Sequence, residues 1–335
     1  MRYPKPHRFY DDQLRLMESR GLQYEDHKRA IAALKAIGYY RFSAYTYPFR
    51  QPNPAANVVA GSNRRLDQFV EGATVEDALK LYLFDEALRS SLFDCLQQIE
   101  VGLRVQIGYQ LGKSGPFAHL DRSMLDAHAC SELRSFGRDQ GEQREAHDEW
   151  LTRFRRLQEE AKHEEYVKHF TLKYDGKIPI WVATEFMDFG SLTFLYSLLN
   201  HRDADKIADN LGLKDRGMVY KWLKALNVLR NHCAHGSRIW NRSTVYPPKR
   251  PPARLSDPRI HHLGSADADR IYFLAAICAL FAIRLNPASN WPRAFRTKAR
   301  KFPEPHGMTL ENTMGFASGW ESQPLWTYVP TITNP

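Results

Sequence analysis

The sequence predicts a mainly α-helical protein. Three observations lead there: apolar residues recur at three- and four-residue spacing through long segments, helix-capping residues stand ahead of those segments, and no strand–helix units of a parallel sheet can be traced. Asp11 is placed to cap a first helix ending before Gly21, and Asp26 a second ending before Gly38. Residues 39–49 are aromatic, and residues 51–72, rich in Pro, Asn and Gly, read as a loop with room for a short hairpin. Thr74 with Asp77 resembles a capping box, so a long helix is expected from residue 75 to about 111. Its stripe runs through Leu81, Leu88, Leu92, Leu96, Ile99, Leu103 and Ile107. Asp85 falls inside that stripe and needs a partner, which Arg89 offers one turn on; Glu100 and Arg104 repeat the arrangement on the shoulder.

Residues 112–140 read as loops and a short helix, and residues 142–173 as a charged helix that projects or lies on the surface. After a break at Pro179, an apolar helix is expected over residues 180–199. Asp203 and Asp215 are placed to cap two more, separated at Gly212, the second covering about 216–235. Beyond Trp240, Pro247, Pro248, Pro251 and Pro252 mixed with Lys249, Arg250 and Arg254 make a stiff basic segment. It leads to a buried-looking helix near 269–285, a short basic helix near 291–301 and an irregular tail. The expected organisation is N-terminal helices and loop over 1–72, a helical core over 73–245 with a charged insertion at about 112–175, and a basic linker, buried helix and tail over 246–335.

Composition narrows the function. The chain of 335 residues is 43% apolar, enough for a real core. The longest apolar run, residues 271–283, is stopped by Arg284 and falls short of the roughly 20 residues that cross a bilayer. No secretory signal opens the chain, and its four cysteines, at 95, 130, 233 and 278, include no Cys-x-x-Cys pair. A cytoplasmic protein with reduced thiols is expected, with no membrane, metal or cofactor called for. The net charge of +9 favours a polyanion, since neutralising phosphates with Lys and Arg releases counterions.

The chemistry-bearing segment is Arg230-Asn231-His232-Cys233-Ala234-His235. On a helical wheel Val219, Trp222, Leu226, Leu229 and Cys233 form an apolar stripe, while Asn227, Asn231 and His235 form a polar ridge nearly opposite. RNA is cleaved without metal when its 2′-hydroxyl attacks the adjacent phosphate. That route needs a proton carrier near neutral pH, the role of histidine, and a fixed positive fork on the phosphate oxygens, the role of arginine. Arg230 and His235 are therefore the candidate catalytic pair, with Asn231 orienting the imidazole or donating to phosphate. Arg followed by four to six residues and His occurs at seven places in the chain, so spacing alone selects nothing. By residues alone, an ion-paired Arg230 and a structural His235 fit as well as catalysis does.

The run Leu226-Asn227-Val228-Leu229-Arg230-Asn231-His232-Cys233-Ala234-His235, followed by Arg238-Ile239-Trp240-Asn241-Arg242, resembles the signature of Abi-like abortive-infection proteins of the AbiD/AbiF type. Upstream blocks match in order: Gly38-Tyr39-Tyr40-Arg41-Phe42-Ser43-Ala44-Tyr45, Leu81-Tyr82-Leu83-Phe84-Asp85-Glu86-Ala87-Leu88-Arg89, Ile99-Glu100-Val101-Gly102-Leu103-Arg104 and Phe189-Gly190-Ser191-Leu192. The resemblance spans about residues 5–245 and implies a HEPN-like helical bundle with N- and C-terminal extensions. It implies an RNase with Arg230 and His235 catalytic and Asn231 auxiliary, acting in phage defence as a homodimer with a composite site.

Arg238, Arg104, Tyr40 and Arg41 are candidates for holding RNA, the tyrosine by stacking on an unpaired base. Asp85, Arg89 and Glu100 read as structural ion pairs near the site. A non-catalytic RNA-binding or scaffold protein, or one held in complex with a structured regulatory RNA, is the competing expectation.

Overall fold

The computed structural model describes residues 6–57, 64–135 and 143–331. The first five residues, part of the expected 51–72 loop (58–63), the end of the expected 112–140 stretch with the first residue of the charged segment (136–142) and the end of the tail (332–335) lie outside the described residues. The protein is mainly helical, as the periodicity predicts, with two small antiparallel hairpins. It divides into two compact units: residues 1–88 with 297–313, and residues 89–296 with 314–335.

The N-terminal unit holds α1 (Tyr10–Glu18), α2 (His27–Ile37), α3 (Tyr39–Thr46) and the hairpin of β1 (Arg50–Pro52) and β2 (Arg65–Phe69). The Asp26 carboxylate accepts the Arg29 N–H at 3.0 Å and caps α2 as expected. Asp11 does not cap α1. Phe9 occupies that place without a side-chain bond, and Asp11 and Asp12 sit in the first turn, where carboxylates favour the positive helix end. Asp85 is fully buried here and accepts the Tyr45 hydroxyl at 2.6 Å.

The long helix α4 (Val75–Gly112) forms as predicted, with Thr74 Oγ1 accepting the Asp77 N–H at 3.0 Å. Its residues from Arg89 onward run through the second unit. There follow α5 (Ala127–Ser131), the hairpin of β3 (Leu133–Ser135) and β4 (Gln143–Glu145), α6 (Ala146–Glu160) and α7 (Glu165–Tyr174). The charged segment is thus two helices, and α6 does not project. Its seam of Trp150, Phe154 and Leu157 is buried, with Trp150 edge-on to Phe194 at 6.2 Å.

The apolar segment after Pro179 is also broken. It gives α8 (Ile180–Ala183), a 3-10 turn and α9 (Phe189–Leu198), because Met187 turns extended and Asp188 starts a fresh helix, accepting the Ser191 N–H at 2.6 Å. In α10 (His201–Asn210) the cap is Asn200, not Asp203. Asn200 accepts the Asp203 N–H at 3.0 Å and donates to its carboxylate at 2.8 Å. Asp215 caps α11 (Arg216–Ala234) as expected, accepting the Met218 N–H at 3.0 Å.

The core of the second unit is α12 (Ile271–Leu285), buried at every position through Ile283. Phe273 and Phe281 pack on Trp222 of α11, and Arg284 donates to the Asp209 and Asn210 carbonyls, answering the open C-terminal end of α10. Two glycines bring neighbours onto α4. A Cβ on Gly102 would stand 2.7 Å from Leu285 of α12, and one on Gly108 would stand 3.2 Å from the Trp181 Cα of α8. The basic Pro-rich stretch is tied down, the Lys249 carbonyl accepting the Trp222 indole at 2.9 Å and Arg250 donating to the Ala266 carbonyl. After α13 (Trp291–Ala299) and α14 (Leu310–Met314), the tail buries Phe316, Trp320 and Trp326, which pack with Tyr272. Among the described residues no helix is long and apolar enough to cross a membrane.

One buried group makes the second unit sensitive to acid. His119 is fully buried edge-on to Phe154 at 4.9 Å, neither ring nitrogen has a hydrogen-bond partner, and burial holds its pKa down to about 3. The unfolded chain, with an ordinary histidine near 6.5, binds the proton first, so this contribution is complete above about pH 6.5 and is lost as pH falls toward 3. Unfolding by urea at pH 7.5 and pH 5 is expected to differ by roughly 2 kcal/mol from this residue. His119→Leu should remove that part of the pH dependence; an unchanged slope refutes the assignment.

Candidate functional site

The second unit brings together side chains that lie far apart in sequence. Helix α4 supplies Glu100 and Arg104 one turn apart, α11 supplies Arg230 to Glu100 and Asn227 to the start of α9, and the Met187 carbonyl just ahead of α9 meets Arg104. The approach of α9 depends on Gly190. A Cβ there would lie 3.3 Å from Asn227 Nδ2 and 3.7 Å from its Oδ1, so a side chain at 190 would displace the amide.

Glu100 is the hub. It is 8% exposed, its Oε1 accepts Arg104 Nη2 at 2.8 Å, and its Oε2 lies 3.7 Å from Arg230 Nε. Arg104 Nη2 also donates to the Met187 carbonyl at 3.0 Å, just ahead of α9, and Nη1 faces Glu185 at 3.8 Å. The Arg230 guanidinium lies over Phe93 at 6.0 Å. Two arginines thus converge on one buried carboxylate, and the Nε of each is buried without a hydrogen-bond partner. A buried donor left unpaired costs on the order of 1–3 kcal/mol, so the shared carboxylate has to offset a polar cost at both arginines.

His235 follows the last residue of α11. Its N–H donates to the Asn231 carbonyl at 3.0 Å, keeping the chain helical to that point, and Gly236 then turns it with φ +63°. Asn231 and His235 are exposed. At about 100° per residue the Arg230 and His235 directions differ by about 140°, and the regular helix leaves no bend to close that angle. His232, half-buried, has its pKa lowered by burial first, then by the nearby charges of Arg242 and His235. It lines a small apolar recess with Val228, Leu229 and Thr244.

The other predicted positions fall elsewhere. Arg238 is half-buried with its guanidinium 5.9 Å from the Trp240 ring. Tyr40, 91% exposed, and Arg41 lie on α3 in the N-terminal unit, as does Asp85; Arg89 is buried on α4 in the second. Sequence reading missed Glu185, Met187 and Phe93. Glu185 sits in the 3-10 turn that the expected continuous helix concealed, and Met187 acts through a backbone carbonyl that no residue pattern reports.

Residues 32–241 match the model of the Abi-like protein family. The chain belongs to that family. Membership suggests a role in abortive infection, the defence of bacteria against phage. Neither the curated proteins nor the solved structures yield a match. The matched span of this Abi-like protein contains Glu100, Arg104, Gly190, Asn227, Arg230 and His235.

The shared carboxylate yields a stability prediction. Glu100→Gln leaves Arg104 and Arg230, with side chains 21% and 31% exposed, without their common counter-charge. Partial exposure screens them, so a loss of about 1–2 kcal/mol is expected in urea unfolding, below the 3–5 kcal/mol of a fully buried broken pair. A variant as stable as the parent would show that the carboxylate does not hold the two arginines together.

Proposed function

We propose that this Abi-like protein is a metal-independent RNA endonuclease of the HEPN superfamily and AbiD/AbiF type, acting as a growth-arresting effector in phage defence. The observation that carries the reading is the pair of arginines converging on the buried Glu100, with an exposed histidine just past the end of α11, the helix that carries Arg230. Arg230 would grip the scissile phosphate, and its fork would stabilise the charge that grows on the non-bridging oxygens. Arg104, anchored on Glu100 and Met187, would supply a second contact. His235 would carry the proton, taking it from the 2′-hydroxyl or giving it to the departing 5′-oxygen. The new bond joins the 2′-oxygen to phosphorus, the bond to the 5′-oxygen breaks, and the products are a 2′,3′-cyclic phosphate and a 5′-hydroxyl. Asn231 would orient His235 or donate to phosphate. Glu100 would hold the two arginines in register.

The test compares wild type with Arg230→Ala and His235→Ala on total RNA, with and without EDTA. Wild type should release 5′-hydroxyl fragments in both conditions, and each substitution should reduce cleavage by 100-fold or more. Both variants should keep the wild-type melting profile. Tight RNA binding with no cleaved product would instead support the non-catalytic reading, and cleavage that needs added divalent metal would refute the mechanism.

A further inference from the structure

A second pair of arginines gathers around a carboxylate at the C-terminal end of α12, within the second unit. Asp257, its side chain 9% exposed, accepts Arg259 Nε at 2.9 Å and Nη2 at 2.6 Å, a two-point fork. Its Oδ2 stands 4.0 Å from Arg284 Nη1. Arg284 commits its own Nε and Nη2 to the Asn210 and Asp209 carbonyls, at 2.9 and 2.8 Å. Gly212, at φ +83°, makes room for both: a Cβ there would stand 3.3 Å from Asp257 Cβ and 3.4 Å from Arg284 Nε. Tyr328 lies 5.5 Å from the Arg259 guanidinium, and its hydroxyl donates to the Pro287 carbonyl at 2.7 Å, which fixes the ring.

These bonds hold the fold, yet they use only one edge of each guanidinium. Among the described residues the Nη1 of Arg259 and that of Arg284 make no hydrogen bond, and both arginines line a cavity of about 450 Å³. Their side chains are 23% and 36% exposed, so solvent reaches them. Two cations against one carboxylate leave the cavity net positive, and no acidic residue is among those lining it. The opposite resource is neutral. Asn210 Nδ2 donates to Gln106 Oε1 of α4 at 2.6 Å, and that bond leaves the two amides with one spare donor group and one spare acceptor.

We propose that this cavity binds a nucleoside monophosphate. A planar carboxylate is best matched by the two-nitrogen edge of one guanidinium, and both such edges are already occupied. Two single donors from different elements remain, which suits a tetrahedral oxyanion with several terminal oxygens. The volume calls for more than the phosphate. At about 450 Å³ the cavity falls within the roughly 300–1,000 Å³ of small-molecule sites, and inorganic phosphate would leave most of it to water. Ile283, Pro287 and Tyr328 give a wall for a flat ring, and the spare donor and acceptor of Gln106 and Asn210 match the mixed hydrogen-bonding edge of a nucleobase. Glu100, Arg104, Arg230 and His235 take no part, so the inference stands apart from the RNase reading.

The test is calorimetric titration of the whole chain with 5′-AMP, 5′-GMP, 5′-CMP and 5′-UMP, the matching nucleosides and inorganic phosphate. At least one nucleotide is expected to bind with a Kd below about 1 mM, and its nucleoside and inorganic phosphate at least about tenfold more weakly. Asp257→Asn with Arg259→Gln removes a cation and its counter-charge together, stranding no buried charge, and should weaken that nucleotide about tenfold. Gln106→Ala leaves both arginines and Asp257 in place and should weaken it several-fold; it decides alone should the double variant fail to fold. Arg230→Ala should bind as wild type does, which tells this cavity from the α11 motif. The proposal is overturned if no nucleotide binds, if the nucleoside or inorganic phosphate binds as tightly as the nucleotide, or if the cavity variants bind like wild type. A 5′-phosphorylated trinucleotide that binds more tightly than the mononucleotide would assign the cavity to an RNA end and likewise overturn it.

Discussion

The arrangement around Arg230 depends on one carboxylate held out of water. Glu100 sits on a helix shoulder with too little solvent to screen it, so its charge has to be answered by protein. Arg104 answers it from the same helix one turn on, and Arg230 from α11. A local i, i+4 pair would stabilise α4 alone by a few tenths of a kcal/mol. Sharing the carboxylate with a second helix turns that pair into a tie between distant parts of the chain, and the Met187 carbonyl extends the tie to the start of α9.

The tie also explains why two arginines stay at a surface-facing site instead of spreading apart. Like charges brought close repel, and one buried anion between them offsets that cost while leaving part of each fork free. Packing supports it from behind. Gly102, Gly108 and Gly190 each stand where a side chain would push a neighbouring helix away, and together they keep α12, α8 and α9 close to the two helices that carry the charges.

The chain shows both kinds of capping outcome. Asp26, Thr74 and Asp215 cap the helices for which their positions speak, because each stands directly before a clear apolar period. Asp11 and Asp203 fail the same test for one reason: a neighbour upstream, Phe9 or Asn200, already occupies the boundary, and the acid falls within the first turn. The break at Met187 escaped notice because every residue around it is compatible with helix by periodicity. Only Asp188, easily passed over inside an apolar run, signals a new start.

What the sequence determined by itself is the helical class, the long α4, the buried α12, the α11 motif helix and the identity of the charged candidates. These follow from local periodicity and capping, which act within a few residues and are written in order along the chain. What only the tertiary structure decided is which of those charges meet. Glu100 and Arg104 read as an ordinary helix pair, and Arg230 as one of seven arginines followed by a histidine. Their convergence rests on how closely α4, α9 and α11 approach, and the missing side chain at Gly190 lets α9 come up against Asn227 of α11. Close approach is a non-local property, and no spacing within one segment records it. Arg230 and His235 were legible as a motif, yet the carboxylate that governs Arg230 lies 130 residues away on another helix.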